Sequence, residues 1–367
     1  MINQVKNQYN PDFVTPPGET LLETLEALGM SQAELAERTG RPKKTINEIV
    51  RGKAAITSET ALQFEKVLGV PASFWISREQ NYQEWLAREQ ERLALEKELA
   101  WIKQFPVKEM IALGWIERRA DLTDQLNELL RFFGIASPQQ WEPVYCDLEV
   151  AFRRSQAFQA ESEITSVWLR KGEIEAQKID CAPFDADGFK MALGEIRTLT
   201  NEDPNVFVGK IIELCAQAGV AVAFVHELRR LRTSGATRWL NPSKALIQLS
   251  LLYKTDDHLW FTFFHEAGHI LLHGKREIFL EGNEAHKEAD EKEEQANRFA
   301  AEWLIPFSSY KDFHPGGNYF SKAEIIRFSE SIGIAPGVVV GRLQHDGYVP
   351  MTHCNDLKRR LRWGSGN

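Results

Sequence analysis

The stretch Phe263–His273, FFHEAGHILLH, places the pattern His-Glu-x-x-His inside an apolar run. If this run is helical, residues four apart share one face, so His265 and His269 can bind a single metal ion. Glu266 then lies beside that face, where its carboxylate can act on a metal-bound water. A chance cluster in a buried helix is the alternative, but an apolar helix has little reason to bury three ionisable groups without partners.

A catalytic zinc ion takes three protein ligands and keeps one position open, so a third ligand is required. His273 lies about 12 Å along the helix from His265, too far to share an ion whose ligand bonds are about 2 Å long. Glu293 is the better candidate, because it begins a helical stripe of small and apolar residues in the segment 293–306. Asn297, one turn further on, would hold a ligand histidine by its second ring nitrogen. The neighbouring acidic residues suit a solvated helix N-terminus instead, and these are Glu288, Asp290, Glu291 and Glu294.

Both segments together resemble one known family. The motifs that carry the resemblance are His265-Glu266-x-x-His269 with the trailing Leu271-Leu272-His273, and Glu293-x-x-Ala296-Asn297-x-Phe299-Ala300-Ala301 followed by Leu304 to Pro306. They resemble the ImmA/IrrE family of metallo-endopeptidases. The resemblance implies a gluzincin-like zinc site with His265, His269 and Glu293 as ligands and Glu266 as general base. It also implies that the protein substrate is a transcriptional repressor. Ile305 stands where the family usually has methionine, and we expect this difference to leave the catalytic chemistry unchanged.

The N-terminal segment makes an independent argument, because a short helix, a glycine turn and a second helix follow one another. Ser31 and Glu34 have the spacing of a capping box, and Pro42 suits the start of the second helix. Basic residues outnumber the single acid, Glu48, between positions 38 and 53, and they are Arg38, Arg41, Lys43, Lys44, Arg51 and Lys53. The arrangement predicts a helix-turn-helix whose second helix enters the major groove of DNA, flanked by helices at 19–28 and 58–68.

Specific residues of this unit are predicted to contact double-stranded DNA. Those expected to face bases or nearby phosphates are Lys43, Lys44, Thr45 and Asn47. Those placed for the DNA backbone, which positions the protein without specifying sequence, are Gln32, Arg51 and Lys53. The alternative is a small helical bundle with a solvated basic turn.

A second resemblance covers about residues 16–85. It rests on Pro17-Gly18-Glu19, Ser31-Gln32-x-x-Leu35-Ala36, Gly52-Lys53, Ile56-Thr57, Ala61, and Gly69 through Phe74-Trp75. These residues resemble HigA-type antitoxins, which belong to the larger Cro/C1 repressor class. The resemblance implies DNA binding, commonly as a homodimer, and often autoregulation. A toxin would then be a further partner.

Composition limits the class of protein. A chain of 367 residues is long enough for two or three domains, and its net charge of −8 confines DNA contact to the basic patch. The chain has four cysteines, Cys146, Cys181, Cys215 and Cys354. They lack paired spacing, so we expect them to be reduced. The polar N-terminus lacks a signal peptide, and no apolar run is long enough to cross a membrane. A cytoplasmic protein is expected.

The predicted fold class is mainly α with a small β-sheet. The predicted domains are a helix-turn-helix domain at 1–85, a helical middle region at 86–200 and a zincin-like domain at 201–367. A long helix is predicted from Tyr82 to Phe105, either for dimerisation or as a solvated spacer. Further helices are predicted at 122–133, around 150–178 and at 204–218, and strands at 220–225, 237–240 and 245–252.

Two functions from different classes fit these patterns. The first is a DNA-binding regulator with a zinc-dependent endopeptidase domain that cleaves a repressor or another regulatory protein. In that function His345 or Tyr348 would stabilise the oxyanion, although a surface turn explains both residues equally well. The second is an antitoxin-like autorepressor whose zincin domain senses or scaffolds without cutting.

Overall fold

The computed structural model describes residues 14–145, 162–274, 279–280, 287–313 and 320–364, with backbone alone at 279–280 and 287–290. The chain divides into two compact units, Met1–Glu98 and Leu99–Asn367. Over these residues the fold is mainly helical with a small sheet, as predicted. None of the described helices combines the length and the hydropathy needed to cross a lipid bilayer.

The first unit is a helical bundle. Its described helices are α1 (Pro17–Ala27), α2 (Gln32–Thr39), α3 (Lys43–Val50), α4 (Ser58–Leu68) and α5 (Ala72–Glu96). Each contributes apolar residues to one core, and the fully buried side chains include Leu21, Leu35, Ile46, Phe64 and Trp75. The long helix predicted from Tyr82 to Phe105 is in fact α5, which begins ten residues earlier and ends at Glu96. A 3₁₀-helix at Leu99–Gln104 follows it.

Local signals in the helix-turn-helix segment act largely as predicted. Ser31 Oγ accepts the backbone N–H of Glu34 at 3.1 Å and so begins α2. The carboxylate of Glu34 pairs with Arg38 at 2.6 Å, so half of the predicted capping box is present. Gly40, at φ 66°, ends the helix in the left-handed conformation that glycine tolerates.

Gly18 sets the approach of α1 to the end of α3. A Cβ atom at this position would lie 2.3 Å from the carbonyl oxygen of Ile49 and 2.4 Å from that of Val50. Any larger residue would therefore push the two helices apart. The glycine fixes how the predicted recognition helix is seated on the bundle.

The second unit contains the sheet. Before the sheet lie α6 (Val107–Ala112), α7 (Leu122–Phe133), α8 (Ser162–Gln177), α9 (Ala186–Thr198) and α10 (Pro204–Gln217). The strands are β1 (Val220–Phe224), β2 (Gly235–Asn241), β3 (Lys244–Leu249) and β4 (Phe279–Leu280). After β3 come α11 (Asp256–Leu272), α12 (Lys287–Leu304), α13 (Phe307–Phe313), α14 (Lys322–Ile332) and α15 (Pro336–His345). The helix predicted around 150–178 is described from Ser162 onward, and its earlier part lies outside the described residues.

The sheet has the strand order β1-β3-β2-β4. The β1–β3 pair is parallel, whereas β2 is antiparallel to both β3 and β4. Both faces of the sheet are covered, which explains why β3 is buried at nearly every position rather than at alternate ones. Ile247 packs into the main core of the second unit, and Gln248 on the other face donates to the carbonyl oxygen of Trp168 in α8 at 2.7 Å.

The start of α11 is held by the C-terminal segment. Lys358 forms a buried ion pair with Asp257 at 2.6 Å, and the backbone N–H of Arg359 donates to Asp256 Oδ1 at 3.0 Å. Burial, followed by the charge of Asp257, raises the pKa of Asp256 to about 6. Gly337 and Gly341 on α15 leave room for these two carboxylates, since a Cβ at either would lie under 3.0 Å from one of their oxygens. The helix that carries His-Glu-x-x-His is therefore anchored at its N-terminus.

Candidate metal centre

Two helices bring three potential metal ligands together. His265 and His269 lie one turn apart on α11, with their Nε2 atoms 2.9 Å from each other. Glu293 on α12 places one carboxylate oxygen 3.2 Å from Nε2 of His265 and the other 3.4 Å from Nε2 of His269. The donor atoms of all three lie within 4.8 Å of one another. Two imidazoles and a carboxylate are the ligand set of a zincin site.

The Nδ1 atom of each of these two histidines also has a polar partner. Nδ1–H of His265 donates to Asn297 Oδ1 at 2.9 Å, so Nε2 is the ring nitrogen that faces Glu293. Nδ1 of His269 lies 2.9 Å from Nδ1 of His273, whose own Nε2 is 3.3 Å from Gln295 Oε1. His273 therefore orients His269 rather than joining the cluster. These contacts fix the rings in the orientation that a metal ion needs.

The protonation states also suit a cation. Burial lowers the pKa of His269 to about 4, so its ring is neutral near pH 7. Burial raises the pKa of Glu293, but hydrogen bonds from His265 and His269 outweigh it and lower that pKa to about 2. An ionised carboxylate beside two imidazoles, of which that of His269 is neutral, is a donor set for a divalent metal, so the residues present fit zinc.

Close packing of α11 and α12 makes the cluster possible. Gly268 faces Ala296, and a Cβ at Gly268 would lie 3.3 Å from Ala296 Cα and 3.1 Å from the Phe299 ring. Ala296 and Ala300 are fully buried in this contact. The small residues let the two backbones come near enough for Glu293 to reach both histidines.

Glu266 is fully buried and lies against the start of β2. A Cβ at Gly235 would be 2.6 Å from Glu266 Oε1 and 2.9 Å from its Cγ, so this strand position has no room for a side chain. Thr237, two residues along, donates its hydroxyl to the backbone carbonyl of Glu266 at 3.1 Å. The sheet therefore positions both the backbone and the side chain of Glu266.

We expect Gly235→Ala to lower catalytic turnover while the metal stays bound, because the new methyl group would meet Thr262 Cγ2 and the Glu266 carboxylate rather than the three ligands. Glu266 is the predicted general base, and displacing such a group should cost part of the roughly 10²–10⁴-fold that it supplies. Steady-state kinetics and zinc content of the same preparation measure the two effects. Gly194→Ala is the matched control, since a Cβ there meets nothing within 4 Å. Full turnover in Gly235→Ala would show that the close contact is irrelevant.

The structure places the two predicted oxyanion donors at the end of α15 and in the turn after it. The His345 side chain is 81% exposed and lies 3.0 Å from Asp346. Tyr348 is at the border of exposure, with its ring 6.3 Å from that of Phe320. Neither of these contacts is with the metal cluster, so the oxyanion role remains a prediction for both residues.

The predicted DNA contacts gather around α3. Lys43, Lys44, Arg51 and Lys53 are exposed, whereas Gln32, Thr45 and Asn47 are half-buried. Lys44 lies 3.8 Å from Glu48, within weak ion-pair range. Arg41 is held by α4 instead, with Nε donating to Gln63 Oε1 at 2.5 Å and a guanidinium nitrogen 3.2 Å from Glu59. The exposed cations among the predicted DNA contacts therefore lie on α3 and in the turn after it.

Sequence reasoning missed the glycines that shape the metal centre. Gly235 and Gly268 act by leaving space for a neighbour, and nothing in a single sequence says which neighbour that is. An isolated glycine in a strand can mark a close approach of backbone or ligand, which is the signal that Gly235 carried.

Comparison with known families agrees with both halves of this description. Residues 21–75 match the helix-turn-helix family, and residues 235–343 match the IrrE N-terminal-like domain, a peptidase family. The chain therefore combines a domain of the helix-turn-helix type with a domain of the metallopeptidase type. Both resemblances predicted from the sequence are confirmed.

Individual relatives match the chain over short stretches. Virulence-associated protein A of Dichelobacter nodosus is 39% identical over 59 residues, which are 16% of this chain and 58% of that protein. A solved addiction module antidote protein of the HigA family from Coxiella burnetii is 32% identical, covering 23% of this chain and 94% of that one, with a TM-score of 0.22. An antidote protein of a plasmid maintenance system from Nostoc punctiforme is 29% identical, covering 23% and 91%, with a TM-score of 0.22.

Proposed function

We propose that this protein is a zinc-dependent endopeptidase joined to a DNA-binding regulator. The observation that carries the proposal is the convergence of His265, His269 and Glu293 beside a buried Glu266. Burying a fourth ionisable group costs free energy, and a purely structural cluster does not need the carboxylate of Glu266 in the space that Gly235 leaves beside the sheet. The experiment is incubation of the zinc-loaded chain with a candidate repressor, read as new fragments by intact mass.

Each residue has a chemical task in this proposal. His265, His269 and Glu293 would hold the metal, with Asn297 and His273 keeping the imidazoles in orientation. When bound there, zinc supplies Lewis acidity toward the scissile carbonyl and the attacking water. Glu266 takes the proton of that water and passes it to the leaving amine.

The substrate that we propose is a transcriptional repressor or another regulatory protein, including a second copy of this chain. A DNA-binding domain would hold the peptidase near regulators that occupy the same promoter, which raises their local concentration. Proximity is thus the physical reason for joining the two domains in one chain.

We further propose that the helix-turn-helix unit binds a specific duplex as a homodimer, with the cations of α3 neutralising phosphates. Changing Lys43 and Lys44 to alanine should weaken binding and lower the slope of log K against log salt by about 0.9 for each phosphate that is no longer neutralised. Changing Asn47 should mainly alter sequence preference, at about 1–3 kcal/mol if it reads a base. Fluorescence anisotropy with promoter duplexes measures both effects, and light scattering measures the mass of the free protein.

Lys66→Ala combined with Lys97→Ala is the matched control for DNA binding, because both lysines are exposed and lie outside α2 and α3. This control should leave the affinity and its salt slope close to the parent values. Absence of binding to any promoter duplex even at low salt would contradict the helix-turn-helix proposal.

A second candidate function is that of an antitoxin-like autorepressor whose metal domain senses or scaffolds. The N-terminal part of the chain is similar to the antidote proteins of Coxiella burnetii and Nostoc punctiforme, and this similarity favours the second candidate. The neighbouring reading frame distinguishes the candidates: a small toxin that co-purifies with this chain would favour the antitoxin function.

A further inference from the structure

A basic loop leads directly to the metal centre. The loop comprises residues 225–234, VHELRRLRTS, and joins β1 to β2. Leu228 and Leu231 are 2% and 4% exposed, and a turn joins them through a backbone hydrogen bond of 3.0 Å. The arginines between and after these leucines face solvent, and they are Arg229, Arg230 and Arg232. Burial of the leucines therefore presents three cations on the surface.

Several contacts hold the loop in one conformation. The backbone N–H of Arg229 donates to both carboxylate oxygens of Glu109, at 3.0 and 3.2 Å. Glu227 accepts the indole N–H of Trp363 at 2.7 Å. Arg230 has a φ of 70°, a left-handed conformation that a non-glycine residue keeps only when its surroundings impose it. A rigid loop can present its side chains in a fixed position.

The loop ends beside the proposed general base. Ser250 holds the last two residues of the loop by hydrogen bonds. Its hydroxyl donates to Thr233 O at 3.1 Å, and its backbone N–H donates to Ser234 O at 2.8 Å. The next residue, Gly235, is the one whose missing side chain leaves room for Glu266. Three residues of extended chain span at most about 11 Å, so Arg232 lies within that distance of Gly235.

Two cations of this loop, Arg229 and Arg232, are available for a partner. The side chains of Arg229 and Arg232 form no ion pair with any residue in the described part of the chain. Their positive charge also contrasts with the net charge of −8 of the whole chain. An arginine guanidinium matches a carboxylate with two parallel hydrogen bonds.

We propose that Arg229 and Arg232 bind acidic side chains of the protein substrate and so direct an acidic segment toward Glu266. This inference rests on the proposed peptidase function. Phosphates of DNA are the competing anions, but the loop that carries both arginines ends at Gly235, which packs against Glu266, so a protein substrate at that site would pass near the loop. The two arginines would then be specificity determinants rather than part of the DNA interface.

Binding to a zinc-loaded Glu266→Gln chain tests the proposal without cleavage. Two fluorescent peptides of equal length are compared, one carrying Asp and Glu and the other Asn and Gln at the same positions. The acidic peptide should bind about three- to tenfold more tightly at about 50 mM salt, and the preference should shrink at about 500 mM. Adding Arg229→Glu and Arg232→Glu should abolish or invert the preference.

Lys210→Glu with Arg327→Glu is the matched control, because both residues are exposed on other helices and the charge change is the same. This control should keep the preference for the acidic peptide. Equal binding of the two peptides by the Glu266→Gln chain would overturn the proposal, as would equal losses in both charge-reversed variants. A loss of promoter binding in Arg229→Glu/Arg232→Glu with peptide binding unchanged would also overturn it, by assigning the arginines to DNA. If the Glu266→Gln chain prefers the acidic peptide but the wild type cleaves no substrate, the result contradicts the peptidase function and leaves the binding role of the arginines standing.

Discussion

Replacing Glu266 with glutamine is expected to lower the rate of peptide-bond hydrolysis by about 10²–10⁴-fold while zinc stays bound. A carboxamide cannot accept the proton of the attacking water, whereas the three metal ligands are other residues. The change is nearly isosteric, so the buried site beside Gly235 should keep its packing. The measurement is intact mass of a repressor with a similar helix-turn-helix, or of this chain itself, after incubation with zinc or manganese.

Glu294→Gln provides the matched control for that comparison. Glu294 lies next to a proposed ligand but is exposed and pairs with Arg298 at 3.1 Å on the surface of α12. This variant should cleave at the parent rate. Equal cleavage by the wild type and Glu266→Gln would point to a contaminating protease or to another base. No cleavage of any candidate, with zinc and DNA binding intact, would favour the non-catalytic regulator.

Replacing both His265 and His269 with alanine is expected to remove the metal altogether, from about one zinc per chain to a trace. Two of three ligands are then missing, and a lone carboxylate cannot hold zinc against solvent. The two imidazoles are almost completely buried, so the loss of stability needs its own measurement by thermal unfolding. Elemental analysis of the purified protein gives the zinc content.

His258→Ala with His353→Ala is the control for metal loss, because both histidines are exposed and lie outside the ligand cluster, His258 at the start of α11 and His353 after α15. It should retain the full zinc content. A double variant of His265 and His269 that still carries one equivalent would show that the metal binds elsewhere. A folded variant without zinc would support the proposed ligands.

Local patterns predicted much of the architecture. The helix at Leu122–Phe133 begins and ends at the predicted residues, since Asp121 caps its start and Gly134 ends it. The strand predicted at 220–225 is present as Val220–Phe224 for a similarly local reason, a β-branched apolar run bounded by a glycine. The end of the long helix was wrong by nine residues, because the acidic and basic residues after Glu96 continue the helical pattern without a stop signal.

The sequence by itself determined the chemistry of the metal centre. Helical periodicity places His265 and His269 on one face, and it also selects Glu293 as the residue that heads the small-residue stripe. These are relations between residues a few positions apart, which one helix enforces without help from the rest of the chain.

Only the tertiary structure decided how that chemistry is held. Gly235 and Glu266 are 31 positions apart, and Asp257 and Lys358 are 101 apart. Nor does any local pattern say that the loop of residues 225–234 ends beside Glu266. The physical reason is that steric fit and ion pairing depend on which surfaces meet, and the free energy of packing the whole unit selects those surfaces.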